Sequence, residues 1–251
     1  MNEFFQSLHF DPVALAVACL ASFLASTLGG LSGFGAGLIL PAFLAPVVGV
    51  ANVVPVMAVA MLFNNGGRII AFWHDIQWPH VKRILLPGLP ACIGGAYAYT
   101  LLSAGWIAAM LGTFILLSVP IRRLLNKINR RLSPNVEYVA GTGFGFINGG
   151  ISGAGILLIS ILMSAGLSGS AMIATDAIIS LTMGVAKTIS FSSLSALNPQ
   201  LFVIGLLIGF CAAPGAFIAR WLLKRIPAGI HAWMMEIIVA IGALSLLRHA
   251  L

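Results

Sequence analysis

Long apolar runs without charged side chains constrain this chain more than any other feature. A single charged residue, Glu236, interrupts the five clearest runs, which are residues 13–28, 84–102, 106–121, 201–219 and 230–247. Most of them reach the roughly 17 to 25 residues with which a helix crosses a bilayer. Charged residues make up 8% of the chain, against about 25% in a soluble domain. The sequence therefore predicts an all-α polytopic membrane protein with no room for a soluble domain.

The remaining composition excludes several other classes. The first dozen residues hold no Lys or Arg, so the basic region of a cleavable secretory signal is missing and the first run is expected to stay as a helix. Three cysteines stand singly in apolar runs, which favours packing roles and predicts no metal, disulfide or cofactor. The chain has a net charge of +7, and its basic residues lie mainly in short loops. Membrane topology explains that charge better than a nucleic-acid partner does.

A glycine-rich motif occurs twice, 120 residues apart. The first glycine motif, residues 29–35, reads GGLSGFG, and the second glycine motif, residues 149–155, reads GGISGAG. The same ungapped register places Pro79 on Pro199 and the pair Gly95-Ala96 on Gly215-Ala216. Elsewhere the sequence identity between the two halves is near the level that so biased a composition gives by chance. The prediction of an internal duplication therefore rests on these motifs and on the order of the apolar segments.

Corresponding loops of the two halves carry opposite charge. Residues 74–83 hold two adjacent basic side chains, whereas their counterparts, residues 194–203, hold no charge. Conversely, residues 103–105 are uncharged and residues 223–225 hold two basic side chains. The halves are therefore expected to be inverted about a pseudo-two-fold axis in the membrane plane, as in many secondary transporters.

The basic residues also predict the orientation. The largest basic cluster lies within residues 122–135. Because cytoplasmic loops carry the excess of Lys and Arg, residues 74–83, 122–135 and 220–228 are placed in the cytoplasm and both termini outside. The predicted organisation is a first repeat over residues 1–121, a basic cytoplasmic connector over 122–135 and a second repeat over 136–251.

Each half is expected to contain five apolar segments, for a total of eight longer transmembrane helices plus two short or re-entrant ones. The predicted segments lie near 12–28, 36–48, 51–73, 84–102 and 106–121, and near 136–148, 155–167, 170–193, 201–220 and 230–248. A helix of about 13 residues is only about 20 Å long, which is short of a ~30 Å hydrocarbon core. Whether segments 36–48 and 155–167 span or re-enter therefore stays open.

The glycine motifs are expected to break helices inside the membrane. Irregular backbone is tolerated there only where protein or water covers it, so the motifs should line a cavity. Helices that begin near Ala36 and Gly155 would point free N–H groups and a positive dipole end into that cavity, which favours an anion. The binding residues predicted from the motifs are Gly30, Ser32, Gly33, Gly35, Gly150, Ser152, Gly153 and Gly155. The alternative is that small residues simply let helices pack closely.

The third segment of each half carries the remaining polarity. Residues 67 and 68 align with 187 and 188, so that Arg68 and Lys187 provide one cation in each half at nearly the same place. Such cations either snorkel to the membrane surface or attract and bind an anion. Side-chain amides for the same site are expected from Asn64, Asn65 and Asn148.

Asp176 is an acid deep inside a predicted helix. An intramembrane carboxylate is costly, so it either pairs with a cation or an amide, or it carries protons. Along one straight helix Asp176 and Lys187 lie about 16 Å apart, so they do not pair directly. Asp176 is therefore a candidate for ion coupling.

On these residues the chain resembles the TauE/SafE family of sulfite exporters and related anion permeases. The resemblance covers essentially the whole length and rests on the two glycine motifs, on Pro41, on Ala174-Thr175 and on the loop HDIQW at residues 74–78. It implies a secondary transporter that exports small sulfur-containing anions such as sulfite or sulfonates by alternating access.

The family resemblance also bears on individual residues. The chain departs from a common family pattern by placing a serine in each glycine motif and by lacking a proline after the second. These departures bear on the identity of the substrate, and they make the hydroxyls of Ser32 and Ser152 candidate donors to an oxyanion. Thr175, in the matching pair Ala174-Thr175, is added to the predicted binding residues.

Two other function classes compete with transport. An intramembrane serine protease also uses G-x-S-G, but it needs a histidine at similar depth, and the five histidines lie in termini, in loops or near a helix start. A non-transporting scaffold would not need a polar cavity at matched places in both halves. We therefore expect no enzyme activity, with a small anion and the lipid bilayer as partners. Coupling to protons or another ion and a homo-oligomeric state are left open.

Overall fold

The computed structural model describes residues 12–32, 35–125 and 132–222, and all regular structure within these ranges is helical, without strands. The helices are α1 (Pro12–Ser32), α2 (Gly35–Val48), α3 (Val53–Phe72), α4 (Trp78–Thr100), α5 (Ala104–Leu125), α6 (Pro134–Gly150), α7 (Gly155–Ser164), α8 (Gly169–Ser193) and α9 (Pro199–Leu222), with 3-10 turns at Val50–Asn52 and Trp73–Asp75. The predicted all-α class is confirmed. The predicted segment near 230–248 lies outside the described residues.

The outer surface of the bundle is apolar. Large hydrophobic side chains are strongly exposed on several helices, including Val13 of α1, Ile70 of α3, Val139 of α6 and Phe210 of α9. A water-soluble monomer seldom exposes so much apolar surface, whereas a bilayer accommodates it. Residues 50–70 and 169–193 are long and apolar enough to cross a membrane, and shorter apolar helices accompany them. The chain is a polytopic membrane protein.

Two helices are as short as the sequence predicts. α2 contains 14 residues and α7 contains 10, which correspond to lengths of about 21 and about 15 Å. Neither length crosses a ~30 Å hydrocarbon core upright. Each short helix follows one glycine motif.

The helices pack in pairs that the predicted internal duplication would relate to one another. α4 packs along α6, and α9 packs along α1; α3 and α8 contact each other at the centre, where α9 also packs on α3 and α4 on α8. A shift of 120 residues exchanges α1 with α6, α3 with α8 and α4 with α9. The same contacts then recur, as an internal two-fold relation predicts. The inversion of the halves and the bounds 1–121, 122–135 and 136–251 stay predictions.

Glycines let the paired helices touch backbone to backbone. A Cβ atom on Gly95 of α4 would overlap the carbonyl oxygen of Phe146 in α6. At the equivalent position of the second half, a Cβ atom on Gly215 of α9 would lie 2.6 Å from the carbonyl oxygen of Phe23 in α1. The Gly95 and Gly215 positions that the 120-residue register superimposes thus have the same packing role, which is the close approach that small residues permit.

Several predicted boundaries need correction. α4 begins at Trp78 and not near residue 84, so His80, Lys82 and Arg83 are helical rather than part of a loop. A proline in the first turn, Pro79, favours this start because its fixed φ suits a helix and its missing N–H has no intrahelical partner there. α5 continues to Leu125, which places the beginning of the predicted connector in a helix.

Candidate functional site

A polar cavity of about 80 Å³ lies at the centre of the described bundle, where α3 and α8 face the break after α6. Its lining residues are Gly37, Met57, Ala58, Met61, Asn64, Asn65, Arg68, Asn148, Ser152, Gly153, Gly155, Asp176, Ser180, Gly184 and Lys187. A cavity of this volume holds a few water molecules and is far smaller than the roughly 300–1,000 Å³ of a drug-sized pocket. It therefore suits a small ion.

The second glycine motif breaks the chain at this cavity. α6 ends at Gly150, and α7 begins at Gly155. Gly153 has a φ of 87°, a left-handed conformation that glycine adopts without the steric cost of a Cβ atom. The N-terminal residue of α7, Gly155, lines the cavity, so the positive end of that helix dipole faces it.

The first turn of α2 meets the second glycine motif at the break. A Cβ atom on Gly37, in the first turn of α2, would lie 2.9 Å from the Cα atom of Gly153. The hydroxyl of Ser152 donates a hydrogen bond of 3.2 Å to the carbonyl oxygen of Gly37. A serine hydroxyl has one proton, so Ser152 donates to an anion only when it exchanges this bond.

Not every glycine of the motifs serves the break. Gly149 and Gly150 remain in α6, where a Cβ atom on Gly149 would overlap the carbonyl oxygen of Cys92, and one on Gly150 would lie 3.3 Å from that of Gly95. These two glycines therefore permit the close packing of α6 on α4, whereas Gly153 provides the turn.

Arg68 and Asp176 form an ion pair that joins the two halves. The Nη2 atom of Arg68 lies 2.7 Å from Oδ2 of Asp176, and both side chains are buried. Arg68 also donates to the Oδ1 atom of Asn65 and to the carbonyl oxygen of Ile173, each at 3.4 Å. Arg68 therefore does not snorkel to the membrane surface, and Asp176 pairs with a cation as an intramembrane carboxylate requires.

Lys187 reaches the cavity from the opposite end of the α8 face. Its Nζ atom donates a 3.0 Å hydrogen bond to the carbonyl oxygen of Asn148, near the end of α6. The side-chain amide of Asn148 points toward the sulfur of Met183 at 3.5 Å. Lys187 is 8% exposed, so it does not snorkel either. As predicted, it does not pair with Asp176.

Thr175 stands apart from the cavity. Thr175 is buried and accepts a 3.0 Å hydrogen bond from the backbone N–H of Gln77, so it fixes the loop before α4. Gly33 lies outside the described residues, as do the side-chain surroundings of Gly30, Ser32 and Gly35.

The sequence prediction omitted part of the lining. Met57, Ala58 and Met61 of α3 and Ser180 and Gly184 of α8 line the cavity. Helical spacing could have identified these lining residues, because residues three and four apart share one helix face. The faces are residues 57, 61, 64, 65 and 68 of α3 and residues 176, 180, 184 and 187 of α8.

A second polar cluster lies at the start of α6. Glu137 is 2% exposed, and its Oε2 atom lies 2.9 Å from Nδ1 of His80, while its Oε1 atom lies 3.4 Å from Nη1 of Arg83. The sequence prediction named Asp176 and Glu236 as the acids well inside helices and so overlooked Glu137. The cluster joins α4 to α6 away from the central cavity.

A bundle with an apolar outer surface and a small charged cavity among its helices defines a polytopic membrane protein with a polar interior site. A comparison with protein families gives the same answer: the model of the sulfite exporter TauE/SafE family matches residues 18–246. The chain therefore belongs to this family. It is a multi-pass membrane protein of a transporter family. No match was found among curated proteins or among solved structures.

Proposed function

We propose that the chain is a secondary transporter that exports small sulfur-containing anions, such as sulfite or small sulfonates, through the central cavity. The observation that carries this proposal is the convergence of Arg68, Lys187 and the second glycine motif on one small cavity. The cations come from opposite halves of the chain, and the 120-residue register places them at nearly the same position. A site formed by equivalent elements of two repeats is the usual arrangement in secondary transporters.

The chemistry of the lining favours an oxyanion. Arg68 is paired with Asp176, so Lys187 provides the net positive charge that attracts an anion, and the start of α7 adds a positive dipole end. Side-chain amides of Asn64, Asn65 and Asn148 add donors that bind oxygen atoms. Donors at several points around a small cavity suit an ion with three or four oxygen atoms better than a halide.

Alternating access would expose this cavity to one side of the membrane at a time. In our proposal both termini lie outside and the basic connector lies in the cytoplasm. The anion then leaves the cytoplasm through the face that the basic residues mark.

Uptake into proteoliposomes tests the proposal. Purified protein is reconstituted, and sulfite, sulfate, small sulfonates and carboxylates are offered under imposed pH and voltage gradients. We expect sulfite or a sulfonate to move faster than into empty liposomes, with carboxylates slower. If no anion moves faster under any gradient, the chain is not an anion transporter.

Replacing Lys187 by methionine is expected to weaken transport. Methionine keeps the length of the side chain but removes the charge, and a hydrogen bond to a charged group contributes about 1.5–3 kcal/mol. The anion concentration that gives half-maximal transport should therefore rise by about 10-fold or more. The measurement is initial uptake against anion concentration in proteoliposomes.

Lys82→Met is the matched control. Lys82 is an exposed lysine in the first turns of α4, so the same chemical change there should leave the half-maximal concentration within about twofold of wild type. Equal effects of the two substitutions, or none at Lys187, would remove Lys187 from the anion site.

A further inference from the structure

The charges around the cavity do not balance. Arg68, Lys187 and Asp176 are the charged residues among the described residues that line it. The ion pair at 2.7 Å compensates Arg68 with Asp176. Lys187 has a neutral carbonyl oxygen as its hydrogen-bond partner, and none of the ion pairs within the described ranges includes it. One positive charge therefore remains when Asp176 is ionised.

Protonation of Asp176 would change this charge balance. Its Oδ2 atom lies 2.7 Å from Nη2 of Arg68. The other carboxylate oxygen, Oδ1, is buried without a hydrogen-bond partner in the part of the chain that the structure describes. An unpaired carboxylate oxygen at the edge of a polar cavity is the atom on which a proton costs least. Protonation there converts the carboxylate to a neutral acid, so that the positive charge of Arg68 is no longer compensated by Asp176 and attracts a second negative charge.

The elements packed on α8 contribute few other titratable groups. From α3 the charged group that faces Asp176 is Arg68, and from α4 Cys92 lies near Lys187. α7 carries no titratable residue. The turn before α4 carries exposed His74 and also Asp75. On α6, Glu137 is paired with His80 and Arg83 of α4. Among the residues that the structure describes, Asp176 is therefore the acid that sets the charge of the cavity.

We propose that Asp176 matches the charge of the cavity to that of the anion: a monoanion binds with Asp176 ionised, and a dianion binds only together with one proton on Asp176. This inference rests on the proposed function and adds the proton count for each class of anion. The physical cause is the high cost of net charge inside a bilayer. The proton comes from water at the open face, moves onto Oδ1 of Asp176, and leaves to water at the other face when the dianion departs.

Two sulfur oxyanions of similar shape test the proposal: methanesulfonate, a monoanion, and sulfate, a dianion, neither of which titrates near neutral pH. In proteoliposomes containing the full chain, an internal pH dye measures the protons, and uptake of isotopically labelled anion is measured in parallel. We expect about one proton for each sulfate and none for each methanesulfonate. Sulfate binding takes up one proton. The sulfate concentration that gives half-maximal transport should therefore rise by about tenfold for each unit by which the pH increases, over the range in which Asp176 is ionised in the empty site. Methanesulfonate should show no such slope.

The outcomes separate the two proposals. If both anions move with the same number of protons, the charge-matching role of Asp176 is overturned, while anion transport stands. If no anion of the panel moves, the proposed function fails and this inference fails with it. These comparisons use the wild-type protein, so they do not depend on whether a variant folds.

Asp176→Asn adds a direct check of the residue. The amide is neutral at every pH, so sulfate transport should lose its proton and its pH slope, and methanesulfonate should bind at least about tenfold more weakly relative to sulfate. Asp75→Asn, in the turn before α4, should leave both proton counts unchanged. Retention of one proton per sulfate in Asp176→Asn would assign the proton to another group and overturn the proposal.

Discussion

Gly95→Ala is expected to abolish most of the folded protein. The added methyl group would overlap the carbonyl oxygen of Phe146, which is backbone and cannot move aside as a side chain does. Overpacking of a close contact typically costs about 1–3 kcal/mol, and more where backbone must shift. We expect the upper end of this range, observed as a lower melting temperature and a reduced monodisperse peak in detergent by fluorescence-detected size-exclusion chromatography.

Gly94→Ala is a control from the next residue of the same helix. A Cβ atom on Gly94 meets nothing within 4 Å. Alanine also favours a helix over glycine by roughly 0.5–1 kcal/mol, so this variant should match the stability of wild type or exceed it. If Gly94→Ala and Gly95→Ala have the same melting temperature, the close contact between α4 and α6 does not determine stability.

Gly153→Ala is expected to be the most damaging single change at the cavity. The left-handed φ of 87° costs a residue with a Cβ atom about 1–2 kcal/mol. The new methyl group would also lie 2.9 Å from the carbonyl oxygen of Gly37 and 2.5 Å from a methyl carbon of Leu38. The combined cost is about 2–5 kcal/mol. Because α2 and the break would have to separate, proteoliposome uptake of the transported anion should fall to the level of empty liposomes.

Gly166→Ala separates the two causes. Gly166 has a φ of 94°, yet a Cβ atom there meets nothing within 4 Å. Its substitution carries the conformational cost without the collision, so it should lower the melting temperature slightly and preserve uptake. Loss of uptake in Gly166→Ala as well would show that backbone strain, and not the contact between Gly153 and α2, explains the loss in Gly153→Ala.

Local sequence signals were sufficient for much of the fold. Charge-free apolar runs predicted the helices because hydrocarbon excludes irregular, unpaired backbone. The repeated motif predicted the start of α7 at Gly155, which the structure confirms. The polar residues of α3 and α8 could be predicted as site residues because polar side chains at membrane depth are costly.

Pairings between distant residues could not be predicted in the same way. The contact between Arg68 and Asp176 depends on the rotation of two helices about their axes, which a single sequence does not determine. Glu137 escaped notice because a carboxylate in a first helical turn usually faces solvent, and its partners on α4 were assigned to a loop. The division of the second glycine motif into packing glycines and a turn glycine likewise depends on the approach of α4.

The backbone contact between α4 and α6 also has a mechanical consequence. At Gly95 and Gly149 no side chain lies between the two backbones, so nothing there can compress or change rotamer when the molecule deforms. Stiffness is highest where atoms already touch at van der Waals distance. Each of these two helix pairs, α4 with α6 and α1 with α9, should therefore move as one rigid unit. A displacement that opens the cavity is then expected between the units and the central helices α3 and α8, rather than within either unit.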